Sequence, residues 1–246
     1  MKVLGIIPAR YASTRLPGKP LADICGKTLV RRVYERAALS KALNSLVVAT
    51  DDERIMEEIR AFGGECVLTS PDHPNGTCRT AEAARGEEAD IIINIQGDEP
   101  LLDPLMIDET AALLTSGDAP SATLCEPVRD EESILDPNTV KVVMDRQGNA
   151  LYFSRSPVPY LRVKGAAPVY RHIGIYGYRR DFLFTYAGLP PTPLSEAESL
   201  EQLKILEHGY KMMVAVTKGR CGPSVDTPED LERVRAIICG KGEGAF

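Results

Sequence analysis

The sequence predicts an α/β fold with a central mixed, mostly parallel sheet and a β-rich second lobe. In residues 1–120, short apolar runs alternate with helical patterns, beginning with a buried strand at 2–7. Such alternation is typical of βαβ units and a parallel sheet. Beyond about residue 120, strand patterns follow one another with few helices between them. We therefore expect two halves, 1–120 and 121–246, that share one continuous domain body.

The first half contains further strand and helix patterns after the strand at 2–7. Residues 91–95 are almost all isoleucine, which predicts a central strand covered on both faces. Helices are expected to end at Gly63-Gly64 and at Gly117, because glycine readily adopts the backbone conformation that follows a helix. The predicted strands lie at 45–50, 65–69 and 89–96, and the predicted helices at 28–39, 53–62 and 104–116.

The second half is predicted to be rich in strands, with a hairpin turn at Arg146-Gln147-Gly148-Asn149, a combination that favours a tight reversal. Its closing helix begins near Thr227 or Pro228, where a capping residue precedes proline. The predicted strands lie at 122–128, 140–145, 151–154, 172–178 and 212–216, and a long helix is expected at 194–208.

The composition is typical of a folded protein. The chain has 246 residues, of which 43% are apolar, enough to bury a full core. No apolar run approaches the roughly 18 residues of a membrane span, and the first residues lack a signal-peptide pattern. We expect a cytoplasmic protein without membrane insertion. The six cysteines include no C-x-x-C pair, so we expect them to be reduced packing residues.

Charge is distributed unevenly along the chain. The net charge is −6, which argues against nucleic acid as the main partner. Residues 1–34 carry seven Lys and Arg against one Asp, giving 7 − 1 = +6, so the remainder carries −12. A small, densely anionic ligand near the N-terminal segment would suit this asymmetry.

The loop after the first strand carries three cations, Arg10, Arg15 and Lys19. In α/β sheets, ligands bind at the carboxyl ends of the strands. The loop is not a dinucleotide fingerprint, since Gly18 is its only glycine. The following Gly26-Lys27-Thr28 resembles the end of a Walker A loop but lacks the earlier glycine of that motif. We predict that this tripeptide forms a turn and the start of a helix. The three cations can surround a polyphosphate through charge-assisted hydrogen bonds. A solvated basic loop is the alternative.

Two carboxylates are candidates for a metal site. Asp98 follows the predicted central strand, and so lies at the same sheet edge as the basic loop. Mg²⁺ favours carboxylate and phosphate oxygens. Alternatively, Asp98 forms a turn after Gly97. Asp226 precedes the last helix, where either it or Thr227 could act as an N-terminal cap.

Six motifs, in order from residue 3 to about residue 235, together resemble the CMP-Kdo synthetase family, the 3-deoxy-manno-octulosonate cytidylyltransferases. They are S-T-R-L-P-G-K-P at 13–20, I-Q-G-D-E-P at 95–100, L-Y-F-S-R at 151–155, R-H-I-G-I-Y-G-Y at 171–178, S-L-E-Q-L at 199–203 and V-D-T-P-E-D-L-E at 225–232. The resemblance implies a Rossmann-like nucleotidyltransferase fold, CTP and Kdo as substrates, Mg²⁺ as cofactor and a homodimer. The implied reaction is attack of the Kdo anomeric hydroxyl on the α-phosphorus of CTP.

The resemblance also implies roles for individual residues. Those that would bind CTP are Ala9, Arg10, Arg15, Lys19, Gly76, Thr77 and Arg79. Asp98 and Asp226 would bind Mg²⁺, and together with Arg15 and Lys19 they form the implied catalytic set. The residues that would bind Kdo are Gln96, Arg155, His172, Tyr176, Glu201 and Gln202. The sequence departs from the family's G-T-[ED]-R at Cys78, and Thr80 stands where an apolar residue is usual.

Each sugar-site residue also has a structural alternative. His172 could be a hydrogen-bonded core histidine, and Arg155 could pair with a surface acid. Glu201 and Gln202 could form the solvated edge of the helix at 194–208. In the functional interpretation, Arg155 and His172 supply the cation or strong donors that the Kdo carboxylate needs.

Other activities stay open from the sequence alone. The nearest alternatives are a cytidylyltransferase for sialic acid or an amino-Kdo analogue, and a nucleotidyltransferase for a neutral sugar. A non-catalytic nucleotide sensor is a third. The presence of both Asp98 and Asp226 argues against the sensor, because nucleotide binding alone does not require a matched pair of metal ligands.

Overall fold

The computed structural model describes residues 1–13, 15–163 and 165–241 and confirms the predicted α/β class. Thr14, within the predicted phosphate loop, lies outside these residues. The strands in chain order are β1 (Val3–Ala9), β2 (Asp23–Ile24), β3 (Lys27–Thr28), β4 (Ser45–Thr50), β5 (Cys66–Leu68), β6 (Ile91–Asn94), β7 (Ser121–Val128), β8 (Lys141–Met144), β9 (Ala150–Ser154), β10 (Val169–Arg179) and β11 (Met212–Val216). The helices are α1 (Leu29–Ala37), α2 (Glu53–Ala61), α3 (Gly76–Ala83), α4 (Pro104–Ser116), α5 (Glu131–Leu135), α6 (Arg180–Gly188), α7 (Pro193–Ala197), α8 (Leu203–Glu207) and α9 (Pro228–Lys241).

Contacts group the chain into two compact units. The first comprises Met1–Asp108 together with the chain from Lys218 onward, and the second comprises Glu109–Thr217. The segment that carries Asp226 therefore belongs to the first unit. The division into two halves near residue 120, expected from the sequence, stays a prediction. No helix in the described part of the chain is both long and apolar enough to cross a membrane.

The sheet of the first unit is parallel and places its strand ends at one edge. The order is β6, β1, β4, β5, and Ile6 of β1 lies opposite Val47 on one side and Asn94 on the other. Six of the seven residues of β1 and all four of β6 are buried, as expected for strands covered on both faces. The loops after β1, β4 and β6 leave from the same edge of this sheet.

Two helices of the first unit show how sequence spacing sets their packing. Helix α1 buries Val30, Val33 and Ala37, and α2 buries Ile55 and Ile59, so each turns an apolar stripe to the sheet. Helix α1 begins after Thr28, whose side chain accepts a hydrogen bond from the N–H of Arg31. The predicted turn and helix start at Gly26-Lys27-Thr28 is confirmed.

The second unit is built around β7. Strand β11 pairs with β7 in parallel and β10 pairs with it antiparallel, while β8 joins β10 to β9. The main-sheet pairing is thus parallel in the first unit, where only the separate short pair β2–β3 is antiparallel among its described strands. The pairing is mixed in the second unit, which agrees with the predicted mixed, mostly parallel sheet. The hairpin turn predicted at 146–149 is confirmed, because the N–H of Asp145 donates to the carbonyl of Asn149 at 2.8 Å.

The prediction of one helix at 194–208 is wrong. The segment forms two short helices, α7 and α8, and Ser199 between them has a φ of 50°. A left-handed conformation at a residue other than glycine breaks the helix, and only the surrounding contacts can hold it. Helices α3, α5 and α6 were not predicted, because short helices carry little periodic signal.

The prediction that all cysteines are reduced is also wrong. Cys25, in the turn between β2 and β3, forms a disulfide with Cys239 in α9, 214 residues away. Cys125 is a buried free thiol, and burial raises its pKa to about 12. No local spacing pattern could reveal a pair so distant in sequence.

Candidate functional site

A cleft of about 370 Å³ lies at the carboxyl edge of the sheet in the first unit. Four segments wall it: the loop after β1, the start of α3, the loop after β6 and the segment before α9. Six of the seven residues implied for CTP line it, namely Ala9, Arg10, Arg15, Lys19, Gly76 and Arg79. Asp98 and Asp226 line it as well. The structure thus brings together the basic loop and the two acids that the sequence singled out.

The ammonium group of Lys19 contacts both Asp98 and Asp226. Its Nζ lies 2.9 Å from Asp98 Oδ2 and 3.2 Å from Asp226 Oδ1. Arg15 Nη2 lies 3.1 Å from the same Asp226 oxygen. The Lys19 side chain is only 18% exposed, whereas that of Arg15 is 64% exposed. Residues far apart in the sequence therefore form one cluster in which two carboxylates face a single ammonium.

The loop after β6 presents Asp98 because its backbone is held close to β1. A Cβ atom at Gly97 would lie 2.9 Å from the carbonyl oxygen of Pro8, so a larger residue would push the loop away. The carbonyl of Asp98 accepts a hydrogen bond from the N–H of Val225 at 2.8 Å. This bond holds the segment before α9 beside the loop after β6, so that Asp226 can reach Lys19.

Asp226 does not act as the cap of α9. Thr227 and Asp230 do so reciprocally: Asp230 Oδ2 accepts from the N–H of Thr227 at 3.0 Å, and the N–H of Asp230 donates to Thr227 Oγ1 at 3.2 Å. This is the reciprocal pattern of a capping box. The side chain of Asp226 instead faces the cations of the cleft, as the metal-site interpretation requires.

The start of α3 forms another wall of the cleft. Asn75 caps the helix by accepting from the N–H of Cys78 at 2.9 Å. Arg79 is buried and donates to Thr69 Oγ1 at 2.5 Å and to Asp51 Oδ2 at 3.1 Å. Its guanidinium is therefore anchored by the first unit as it lines the cleft. Thr77 is not among the residues that line the cleft. It is buried, and its hydroxyl oxygen accepts a hydrogen bond from Asn94 Nδ2 at 3.2 Å.

Sequence reasoning missed several lining residues, among them the polar His73 and Asn75. His73 Nε2 contacts the carboxylate of Glu82, and this hydrogen bond lowers the pKa of that carboxyl group. A histidine five residues after the end of the short strand β5 carries no periodic signal. At the two departures from the family pattern, Cys78 is a half-buried thiol, and Thr80 is buried with its hydroxyl donating to the carbonyl of Gly76 at 2.9 Å.

In the second unit, a strand irregularity brings His172 and Tyr176 together. The register between β10 and β7 shifts between Ile173 and Tyr176. Thr123 Oγ1 lies 2.7 Å from the carbonyl of Ile175 and 2.9 Å from His172 Nε2. The rings of His172 and Tyr176 are 5.4 Å apart. Because β-bulges re-aim side chains next to functional sites, this geometry suits a ligand-binding wall.

We assign the tautomer of His172 from the surroundings of Thr123. The Thr123 hydroxyl lies 2.7 Å from the carbonyl of Ile175 and 3.1 Å from that of Ile173. With its single proton directed to these carbonyls, the hydroxyl oxygen is the acceptor for His172 Nε2–H, and Nδ1 is then an acceptor. Burial lowers the pKa of His172 to about 3. Of the two roles considered from the sequence, a cation or a strong donor, a cation does not fit this buried ring, and the place of His172 in the Kdo site stays a prediction. The ring is neutral and hydrogen-bonded, as in the core-histidine alternative.

Gln202 lies beside this pair. The hydroxyl of Tyr176 donates to Gln202 Oε1 at 3.5 Å, and the residue is only 2% exposed. Among the described residues, nothing accepts a hydrogen bond from Gln202 Nε2, although buried donors are almost always paired. The solvated helix edge is therefore excluded for Gln202, and its amide is a donor suited to a ligand oxygen. Glu201, the preceding residue, is half-buried.

Arg155 holds the break between α7 and α8. Its Nε donates to the carbonyl of Glu198 at 2.7 Å, Nη1 to the carbonyl of Pro137 at 2.9 Å and Nη2 to that of Ser199 at 3.4 Å. Within the described residues, the hydrogen bonds of its guanidinium go to backbone carbonyls rather than to a surface acid. Gln96 lines the cleft of the first unit.

The donor chemistry of the cleft suits Mg²⁺. Asp98 and Asp226 both approach the ammonium of Lys19, so their oxygens already surround one cation. Within residues 1–13, 15–163 and 165–241, no group of three or more His, Cys, Asp or Glu side chains is gathered to hold a metal. Two carboxylates are sufficient where the substrate contributes phosphate oxygens, since Mg²⁺ commonly binds one or two carboxylates and phosphates together.

Comparison with known proteins identifies the family. The family model described as cytidylyltransferase matches residues 4–213. The 3-deoxy-manno-octulosonate cytidylyltransferase of Geobacter metallireducens is 50% identical over 246 residues, which cover 95% of this chain and 96% of that protein. The enzyme of the same name from Solibacter usitatus is 49% identical and covers 99% of both chains.

A solved structure agrees with both the family and the predicted fold. It is described as CMP:2-keto-3-deoxy-manno-octonic acid synthetase complexed with CTP, and it is 44% identical, with a TM-score of 0.94 over 98% of this chain and 100% of that one. The predicted Rossmann-like nucleotidyltransferase fold is therefore confirmed. By sequence and by structure, this chain belongs to the cytidylyltransferase family, among the 3-deoxy-manno-octulosonate cytidylyltransferases.

Proposed function

We propose that this chain transfers CMP from CTP to the anomeric hydroxyl of Kdo, giving CMP-Kdo and pyrophosphate for lipopolysaccharide synthesis. The observation that carries the proposal is the cluster of Lys19 with Asp98 and Asp226 in the cleft of the first unit. It lies in a chain about half identical to enzymes named for this reaction. The related solved structure is named as a complex with CTP.

The nucleotide is assigned to the cleft of the first unit. Arg10, Arg15 and Lys19 supply positive charge for the three phosphates, and charge-assisted hydrogen bonds to phosphate are among the strongest in proteins. Arg15 and Lys19 stabilise the pyrophosphate as it leaves. Ala9, Gly76 and Thr77 form or support the wall beside the nucleotide, and Arg79, held by Asp51 and Thr69, is a fixed rather than a mobile cation.

We propose that Asp98 and Asp226 hold Mg²⁺. When bound, the ion offsets the negative charge of the α-phosphate and aligns the two substrates. The chain itself contributes the fixed positions of both carboxylates, through Gly97 packed on Pro8 and through the hydrogen bond between Val225 and Asp98. Such preorganised charge supplies most of the rate in phosphoryl transfer.

From the family resemblance, the sugar acid is assigned to Gln96, Arg155, His172, Tyr176, Glu201 and Gln202. The geometry supports particular roles for two of them. His172 Nδ1 accepts from a sugar hydroxyl, because Thr123 holds the other ring nitrogen. Gln202 Nε2 donates to a sugar or carboxylate oxygen, because it is buried and has no acceptor within the described residues.

In the reaction, the anomeric oxygen of Kdo bonds to the α-phosphorus and the bond from that phosphorus to the bridging oxygen of pyrophosphate breaks. The hydroxyl proton is released, and no covalent enzyme intermediate is needed. The cysteines have no part in this step. Positioning of the two substrates, rather than nucleophilic catalysis by a side chain, is what the chain provides.

We further propose that the enzyme is a cytoplasmic homodimer that associates through the β-rich second half. Leu151 is 61% exposed and Tyr160 is 88% exposed in that half, and exposed apolar side chains are common at protein interfaces. CTP is made and used inside the cell, which supports the location. Light scattering behind a sizing column would give the mass, and a monomer at micromolar concentration would reject the dimer.

One experiment tests the activity. The purified protein is incubated with Mg²⁺, each of the four NTPs and a panel of Kdo, amino-Kdo, sialic acid and neutral sugars, while pyrophosphate is measured. We expect turnover with CTP and Kdo, and full loss of turnover in EDTA. Equal rates with ATP, a preference for sialic acid, or activity that survives chelation would each reject the proposal.

A further inference from the structure

The loop that carries the three cations is held from outside the cleft by a side chain of α2. We infer that Arg54 is a positioning residue for this loop, acting through the ring of Tyr11 to hold Lys19 at the cleft. The inference rests on the proposed function, because it assigns the purpose of the contact to binding of the nucleotide phosphates.

The contact between the two side chains is close. The guanidinium carbon of Arg54 lies 3.4 Å from the centre of the Tyr11 ring, well within the range of a cation–π interaction. Two hydrogen bonds to Asp52 fix the plane of the guanidinium, from Nε at 2.9 Å and from Nη2 at 2.6 Å. A paired geometry of this kind limits the guanidinium to one orientation, which a lysine could not reproduce.

Asp52 in turn is fixed to the helix. It caps α2 by accepting from the N–H of Arg54 at 3.0 Å. The hydrogen bond from the Arg54 side chain lowers the pKa of the Asp52 carboxyl group. Asp52 follows β4 by two residues, so the arginine projects from a rigid strand-to-helix connection of the first unit rather than from a mobile loop.

Tyr11 connects this anchor to the residue before Lys19. The carbonyl of Tyr11 accepts from the N–H of Gly18 at 3.2 Å. A Cβ atom at Gly18 would lie 3.2 Å from Tyr11 Cζ, and Gly18 has a φ of 70°. The ring therefore packs on the glycine whose left-handed backbone leads directly into Lys19, and both features require glycine.

The advantage of such a contact follows from the charge of the loop. Arg10, Arg15 and Lys19 carry like charges that Asp98 and Asp226 offset only in part, so an unheld loop would have to be ordered at the moment of binding. Ordering the loop beforehand reduces that entropic cost. Arg54 is 56% exposed, and exposed ion pairs add little to global stability. Its effect should therefore fall on the loop and leave the fold intact.

The first test reads the loop without any substrate. Trypsin cleaves after Arg15 only when the loop opens, and mass spectrometry identifies the cut. We expect Arg54→Gln and Tyr11→Leu to be cleaved there about two- to fivefold faster than the wild type, the range of one exposed cation–π contact. Tyr11→Phe, which keeps the ring, should behave as the wild type. Arg60→Gln, an exposed arginine at the other end of α2, is the matched control.

The second test separates loop positioning from a merely structural role. Arg54→Gln should raise the KM for CTP by the same factor as the cleavage rate, about two- to fivefold. The kcat, the KM for Kdo and the melting temperature should stay within experimental scatter. Arg54→Lys, compared with Arg54→Gln, should recover less than half of the lost affinity for CTP. Equal cleavage in Arg54→Gln and the wild type, or a rise in both KM values together with a lower melting temperature, would overturn the inference. If the wild type failed to use CTP and Kdo, the proposed function would fall while the cleavage rates still decided whether the contact holds the loop.

Discussion

Lys19 Nζ lies 2.9 Å from Asp98 Oδ2 and 3.2 Å from Asp226 Oδ1. A lysine assigned to phosphate thus bridges the two acids assigned to the metal. Two carboxylates that approach one cation repel each other, and the ammonium offsets that repulsion. The phosphate-binding and metal-binding functions of the cleft are therefore coupled through one side chain.

Replacing Lys19 should damage the nucleotide side of the reaction. Losing a hydrogen bond to a charged group typically costs about 1.5 to 3 kcal/mol, or roughly ten- to a hundredfold in kcat/KM. We expect Lys19→Ala to lower kcat/KM for CTP by this factor and to leave the KM for Kdo unchanged. Both constants are measured by pyrophosphate release. Lys41→Ala, an exposed lysine of the first unit, is the control. A change confined to the KM for Kdo would contradict the assignment of Lys19.

Replacing Asp98 should change the metal dependence. The Asp98→Asn variant keeps the side-chain shape but loses the charge that binds Mg²⁺. We expect the Mg²⁺ concentration for half-maximal rate to rise by at least about tenfold. The melting temperature should change little, because a partly exposed ion pair contributes only about 0 to 1 kcal/mol. Asp118→Asn, at an exposed position of the second unit, serves as the control. An unchanged Mg²⁺ titration would place the metal elsewhere.

Replacing Arg155 should affect the sugar acid. Its guanidinium holds the carbonyls of Glu198 and Ser199, immediately before Glu201 and Gln202. We expect both Arg155→Ala and Arg155→Lys to raise the KM for Kdo about tenfold or more, while binding of CTP stays nearly unchanged, because lysine cannot replace the forked donor. Calorimetry measures the affinity for CTP, and kinetics measure the KM for Kdo, so the two effects are determined separately. A lower affinity for CTP with a normal KM for Kdo would refute the division of the site.

His172 should contribute to the pH dependence of stability. Burial lowers its pKa from 6.5 to about 3, so the unfolded chain binds a proton between these values that the folded chain does not. The free energy of unfolding must then fall as pH falls below about 6.5, by at most about 1.4 kcal/mol per pH unit. Relative to His172→Gln, the wild type should lose about 2 kcal/mol between pH 7 and pH 5 in urea titrations. Parallel pH profiles for the two proteins would show that His172 titrates normally.

The disulfide makes a prediction that requires no enzyme assay. In denaturant without reductant, thiol titration should find the four free cysteines, Cys66, Cys78, Cys125 and Cys221, and all six after reduction. A bridge typically stabilises by about 2 to 4 kcal/mol, so Cys25→Ser should lower the melting temperature by about 5 to 10 °C. Cys66→Ser is the control. Six reactive thiols before reduction would exclude the bridge in solution.

The sequence predicted the elements whose patterns are long or strongly apolar. The strand at 45–50, the helix at 104–116 and the strand at 212–216 agree with the structure residue for residue. Apolar runs and proline or glycine punctuation are local signals. The helix predicted at 194–208 failed because the contacts of Arg155, 44 residues before Ser199, hold the break. Local spacing carries no information about such a contact.

The site was predictable to the extent that it follows strand ends. Asp98 and the basic loop share an edge because β1 and β6 are parallel neighbours, which the sequence already suggested. The neutral state of His172 was not predictable, because it depends on how deeply the folded chain buries the ring. The contact between Tyr11 and Arg54 was not predictable either, since it joins the loop after β1 to helix α2.

The bond between Cys25 and Cys239 also changes the covalent topology of the molecule. Residues 25–239 form a closed ring, and the segment with Arg10, Arg15 and Lys19 is a tail attached to that ring, whereas Asp98 and Asp226 are members of it. A single cut anywhere between the two cysteines would open the ring without releasing a fragment. A cut after Arg15, by contrast, would release the N-terminal peptide from all covalent attachment. The oxidised enzyme can therefore be cut once within the ring and remain one covalent molecule, while its phosphate-binding arm has no such protection.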